Sequence, residues 1–161
     1  MSIVAPPKPN CPAKTSHIAS WEWWALLYLR LALGVSFLSG IADRFGLYRG
    51  RNVGYGNFAG FVQYTAKVNS FMPASMIPFL AWAATLAEFS FGVALVIGLW
   101  LRWSALGSCL LLILFGTAMA ISFGIKSPLD YSVFSASAGA LVLASYEFRK
   151  AEITFGTPDR H

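Results

Sequence analysis

Four apolar runs, each close to the ~20 residues that cross a bilayer core, divide this chain. They span about Trp21 to Ser39, Ile77 to Leu101, Trp103 to Phe123 and Tyr131 to Tyr146, the last completed by Glu147 and Phe148. Backbone in lipid must satisfy its own N–H and C=O groups, so runs of this length are helical. Of the 161 residues, 57% are hydrophobic and only 12% are charged, well below the charged share of a soluble domain. The expected fold is all-α, an integral membrane four-helix bundle with helices at about 21–39, 77–101, 103–123 and 131–148. Residues 1–20, polar and proline-rich, read as a flexible N-terminal tail, and 149–161 as a C-terminal tail. The first run does not read as a cleaved signal peptide, because Arg30 interrupts it and no clear cleavage site follows.

The long connection from Ile41 to Met76 is rich in Gly, Tyr, Phe and Asn. Phe58, Phe61, Val62, Thr65 and Val68 recur in it at helical spacing, which predicts a short amphipathic helix lying at the interface. The competing reading of the same segment is a lid over an opening between the helices. Trp21, Trp23 and Trp24 form an aromatic belt at the start of the first run. Small residues four apart predict close helix packing: Ala84 and Gly92 flank Glu88, Gly116 and Ala120 precede Gly124, and Ser132, Ala136, Ala140 and Ala144 follow one another. Pro128 and Asp130 read as a start signal for the fourth helix.

Arg30 and Glu88 each interrupt the middle of a run. A charge at the centre of a membrane helix costs roughly 2.5–3.5 kcal/mol, so opposite charges in neighbouring helices are expected to pair. Counted from the run ends, both lie near the midplane of antiparallel helices. The pair reads in two ways. It either fixes helix registry, or it forms a ligand or proton site with Glu88 and Arg30 as its reactive groups. The outer half of the bundle is the richer in hydroxyls, and Ser36, Thr85, Thr117 and Ser135 are its candidate substrate-binding residues. They predict a polar pocket opening to the periplasmic side.

Other chemistry is constrained by what the chain carries. Cys11 and Cys109 form no CxxC, and His17 and His161 lie outside the runs. No metal site, dithiol relay or pair of haem-ligating histidines is expected. The net charge of +5 sits mostly in the flanks of apolar runs, which fits lipid headgroups and not nucleic acid. An even number of spans puts both termini on one side, and a weak excess of Lys and Arg there favours the cytoplasm.

The string Arg30-Leu-Ala-Leu-Gly34, Phe37-Leu-Ser-Gly40 and Asp43-Arg44-Phe45-Gly46 resembles the DoxX family of small membrane proteins. Asn69-Ser-Phe-Met-Pro73, Glu88, Gly92, the stretch Ala94 to Leu99, Arg102, Phe115 and Met119 extend the resemblance. It covers about Leu29 to Ala144. It implies a four-helix bundle in a bacterial-type cytoplasmic membrane, as a subunit associated with a quinone- or sulfur-linked redox process. No intrinsic cofactor is implied. A quinone is the external one, with Arg30 pairing to a carbonyl or oxyanion and Glu88 handling a proton. Expected partners are the lipid bilayer, a soluble or membrane redox protein and a second copy of the chain. The alternative is a non-enzymatic anchor, assembly or interaction protein, so enzymatic activity is expected at most as part of a quinone-linked oxidoreductase.

Overall fold

The structure, a computed structural model, describes residues 20–48, 50 and 53–155. Almost all of the expected N-terminal tail, and residues 156–161, lie outside the described residues. Six α-helices and one short 3-10 turn follow in order: α1 (Ser20–Arg44), α2 (Phe58–Val68), the turn Ala74–Met76, α3 (Ile77–Ile97), α4 (Leu101–Phe123), α5 (Lys126–Asp130) and α6 (Val133–Phe155). No strand occurs among the described residues.

Three helices are long and apolar enough to cross a membrane: Trp21–Arg44, Ala74–Ile97 and Leu101–Phe123. Four were expected. α6 has the length, but Glu147, Arg149, Lys150 and Glu152 lie in its C-terminal part, and it does not reach that apolarity. It also runs to Phe155, so helix replaces the start of the expected tail at 149. α5 was not foreseen; its Lys126 and Asp130 form an i,i+4 ion pair. Asp130 therefore closes α5 instead of starting α6. α1 extends past Ser39 to Arg44, because Gly40-Ile-Ala-Asp-Arg contains no proline to stop it.

α1 packs on α3, α3 on α4 and α4 on α6, with a lighter contact between α6 and α1. The short α2 lies against α3 and α4. Its start is set by Asn57, whose side-chain oxygen accepts from the Gly60 N–H at 2.8 Å. Its buried face is Phe61, Thr65 and Val68, as the helical spacing predicts. Its far end is clipped to α4 by the Ser122 hydroxyl, which donates to the Val68 carbonyl at 2.6 Å.

The α1–α3 crossing is antiparallel, and Gly34 meets Gly92 there. A Cβ added at Gly34 would lie 2.8 Å from Val96 Cγ2 and 3.0 Å from the Gly92 carbonyl oxygen. Only a missing side chain lets the two backbones approach this closely. Below the crossing, Leu33, Phe37, Leu95, Ala105, Cys109, Ala140, Leu143 and Ala144 form the buried core. Ala140 and Ala144 of the expected stripe lie in it and Ala136 packs against it, whereas Ser132 precedes α6 and is exposed. Gly116 serves differently, since an added Cβ would lie 2.7 Å from Phe134 Cε1. That glycine makes room for an aromatic ring of α6. Many large apolar side chains, among them Val35, Leu86 and Leu114, are exposed. On spanning helices this is the pattern of a lipid-facing surface.

Candidate functional site

Glu88 is buried on α3, on the face turned to α1. Its partner is Arg44. Arg44 Nη2 donates to both carboxylate oxygens of Glu88, each at 2.7 Å. Arg44 Nη1 donates to Thr85 Oγ1 at 3.1 Å, and the Thr85 hydroxyl in turn donates to the Ala81 carbonyl at 2.8 Å. The guanidinium lies 3.7 Å from the centre of the Phe61 ring, a cation–π contact. Arg44 and Glu88 are each only 4% exposed. Nη1 and Nη2 are thus both engaged, the latter by the two carboxylate oxygens together, while Nε is buried without a partner.

This geometry corrects the expected Arg30–Glu88 pair. Side chains in a helix lean toward its N-terminus. In an antiparallel pair the two leans converge, so Arg44 at the end of α1 reaches back toward Glu88, which leans forward to meet it. Arg30 lies instead at the other end of α3. Its Nη1 would be 3.1 Å from a Cβ at Gly98, the left-handed residue that ends that helix. A cation at a helix C-terminus is favourably placed there.

The hydroxyl candidates divide. Thr85 belongs to the ion-pair cluster, and Ser36 lines a cavity beside it. Thr117 and Ser135 are exposed and line no part of that cavity. They are removed from the site because each neighbours a residue that turns inward, Gly116 and Phe134, and one residue rotates a side chain by about 100° around a helix.

The cavity has a volume of about 520 Å³. One face of α1 lines it from Leu29 to Arg44, α4 adds Leu112 and Phe115, and α6 adds Val133 and Ala136. Arg44, Glu88 and Tyr55 supply its polar end, with Tyr131 beside the start of α6. Tyr55 reaches this place because Asp43 holds the connecting loop. Asp43 Oδ2 accepts from the Gly54 N–H at 3.0 Å and the Tyr55 N–H at 2.9 Å. A Cβ at Gly54 would stand 2.9 Å from the same oxygen. The loop therefore carries Tyr55 to the polar end of the cavity as well as leading into α2. Asp43, Arg44 and Tyr55 were not among the sequence candidates. The signal for the first two was the Asp43-Arg44 dipeptide directly after the first apolar run.

Burial pushes the Tyr55 phenol up to about 12, with Tyr64 adding to the shift. It therefore stays protonated, a hydrogen-bond donor, throughout the neutral range. The folded state holds this proton more tightly than the unfolded chain does. Stability linked to Tyr55 is present below the ordinary phenol range and is lost as pH rises toward about 12. An ultraviolet titration should show a late phenolate phase that Tyr55→Phe removes; an unchanged late phase would assign it elsewhere.

Among the described residues, no group of three His, Cys, Asp or Glu side chains is placed to hold a metal ion. A small helical chain with three helices long and apolar enough to span a bilayer, and an ion pair buried beside a cavity that they help to line, defines an integral membrane protein. The family profile described as DoxX matches residues 25–123, more than half of the chain, and the chain belongs to the DoxX family. No curated protein and no solved structure matches it. The matched segment contains Arg44, Tyr55 and Glu88 and ends before α6 begins.

Proposed function

We propose that this protein is the membrane subunit of a redox-linked process and that its cavity receives a quinone headgroup. The observation that carries the reading is the cavity's polar end, where Arg44, Glu88 and Tyr55 meet an otherwise apolar lining. A few convergent polar groups in an apolar concavity are the usual form of a small-molecule site. Charge favours a neutral ligand over a sulfur oxyanion. The bidentate contact with Glu88 neutralises Arg44, so an anion would meet a carboxylate as well as a guanidinium. A quinone carbonyl needs only a donor, and Tyr55 is one. Glu88 is the group that would accept or return a proton, and a partner protein supplies the electrons.

In this proposal α6 is a fourth crossing beside α4, the membrane is a bacterial-type inner membrane and both termini are cytoplasmic. The polar end of the cavity then lies toward the outer face. The test is a titration of the protein in lipid nanodiscs with a benzoquinone, read by quenching of tryptophan fluorescence. Saturable quenching is expected, weakened about fivefold to tenfold by Tyr55→Phe, the worth of one hydrogen bond. Quenching that never saturates would defeat the quinone reading and leave an anchoring or assembly role.

A further inference from the structure

We propose that the cavity is reached sideways from the bilayer, through the gap between α1 and α6, and that it holds the hydrocarbon tail of a single-chain neutral lipid along α1. The inference deepens the site described above and rests on the quinone reading only for the identity of the headgroup.

The slot follows from spacing and exposure. Leu29, Ala32, Leu33, Ser36, Phe37 and Gly40 lie on one face of α1, and all of them line the cavity. With Arg44 they cover about 22 Å along the helix. Leu33 and Phe37 form the buried floor, while Ala32 and Ser36 are exposed at the open side. Both lie in the middle of a helix long and apolar enough to span, so the open side faces hydrocarbon. Ser36 does not make the slot polar, because its hydroxyl donates to the Ala32 carbonyl of its own helix at 2.7 Å.

Small residues four apart on α1, Ala32, Ser36 and Gly40, would ordinarily admit another helix. α6 does not take that place. It touches α1 lower down, where a Cβ at Gly139 would lie 3.0 Å from Leu29 Cδ1. That contact closes the inner end of the slot and leaves it open above, toward Val133 and Ala136. The polar end holds Arg44, more than nine-tenths buried, with its Nε unpartnered.

An occupant must match both ends. An apolar slot beside a polar, charge-neutral end fits one tail on an uncharged head that accepts hydrogen bonds. A phospholipid brings two tails and a phosphate, and the cation that would receive that phosphate is already engaged by Glu88. A helix from a second copy would bring no group for the polar end.

A photoreactive fatty alcohol, with a diazirine in its chain, tests the slot in nanodiscs holding the intact protein. Labelling should concentrate at residues 32–36 and 133–136, and Ala136→Trp should lower it there by about tenfold through loss of about two buried methylenes. Even labelling over the lipid-facing surface, labelling indifferent to Ala136→Trp, or crosslinking to a second copy would each overturn the slot. Competition with decyl-benzoquinone separates the two proposals. Displacement supports both. Concentrated labelling that the quinone does not displace supports the slot and defeats the quinone reading.

Discussion

Arg44→Met is expected to cost about 3–5 kcal/mol of stability, because it strands the Glu88 carboxylate in a site that is only 4% exposed. The loss should be near that of Glu88→Met and far larger than that of Arg30→Met. Arg30 lies beside the end of α3 and is only half-buried. The double variant Arg44→Met/Glu88→Met should recover most of the loss, since replacing both members of a buried pair by apolar groups of similar volume is often neutral or stabilising. Midpoints of detergent-induced unfolding for the four variants give the coupling directly. The double variant also separates the two roles of the pair. An ion pair kept only for registry would leave a folded double variant with quinone affinity intact. A pair that forms the floor of the site predicts a folded double variant that no longer binds. Arg44→Met within about 1 kcal/mol of the parent protein, the range of an exposed ion pair, would mean that the pair is hydrated.

Glu88 was legible as the acid in an apolar run, whereas its partner was not. Counting from the ends of the apolar runs assigns depth only if each run ends where its helix ends, and α1 continues five residues beyond Ser39. Those residues carry Arg44 into the protein instead of into the flank. Register then decides the rest. The Gly34–Gly92 contact sets Arg30 against Gly98 and Arg44 against Thr85, and nothing in either run taken alone encodes that offset. The hydroxyl candidates show the same limit. Depth placed Ser36, Thr85, Thr117 and Ser135 in one half of the bundle, but only the azimuth around each helix decides which of them face inward. The long helices were legible because length and apolarity suffice for them, whereas the short α5 was not. α6 was legible as a helix by the same pattern, and the charges in its C-terminal part were visible too. A polar pocket was expected, but its place along α1 and its apolar lining were not legible, because the cavity arises where α6 and α1 fail to close, and no local pattern announces a contact that is missing.

Gly34→Leu is the second change expected to act strongly, and it tests whether register makes the site. An added Cβ at position 34 meets Val96 Cγ2 at 2.8 Å, the Gly92 oxygen at 3.0 Å and Leu95 Cβ at 3.3 Å. A valine methyl can rotate away, but the Gly92 carbonyl belongs to the backbone of α3 and cannot. The helices must therefore separate or slide, an overpacking cost of about 1–3 kcal/mol. Separation at the crossing also draws Arg44 off Glu88, which adds part of the penalty for a broken buried pair. Gly40→Ala is the control on the same helix. Its Cβ would lie 3.7 Å from Glu88 Oε2, an ordinary contact. Removing a mid-helix glycine there should be neutral or stabilise by about 0.5–1 kcal/mol. Thermal unfolding in one detergent should thus move in opposite directions for two glycines six residues apart on α1. Equal shifts would mean that the close approach at Gly34 does not set the register. Opposite shifts, with quinone affinity falling for Gly34→Leu, would mean that the crossing which holds the fold together is also what brings Arg44 to Glu88.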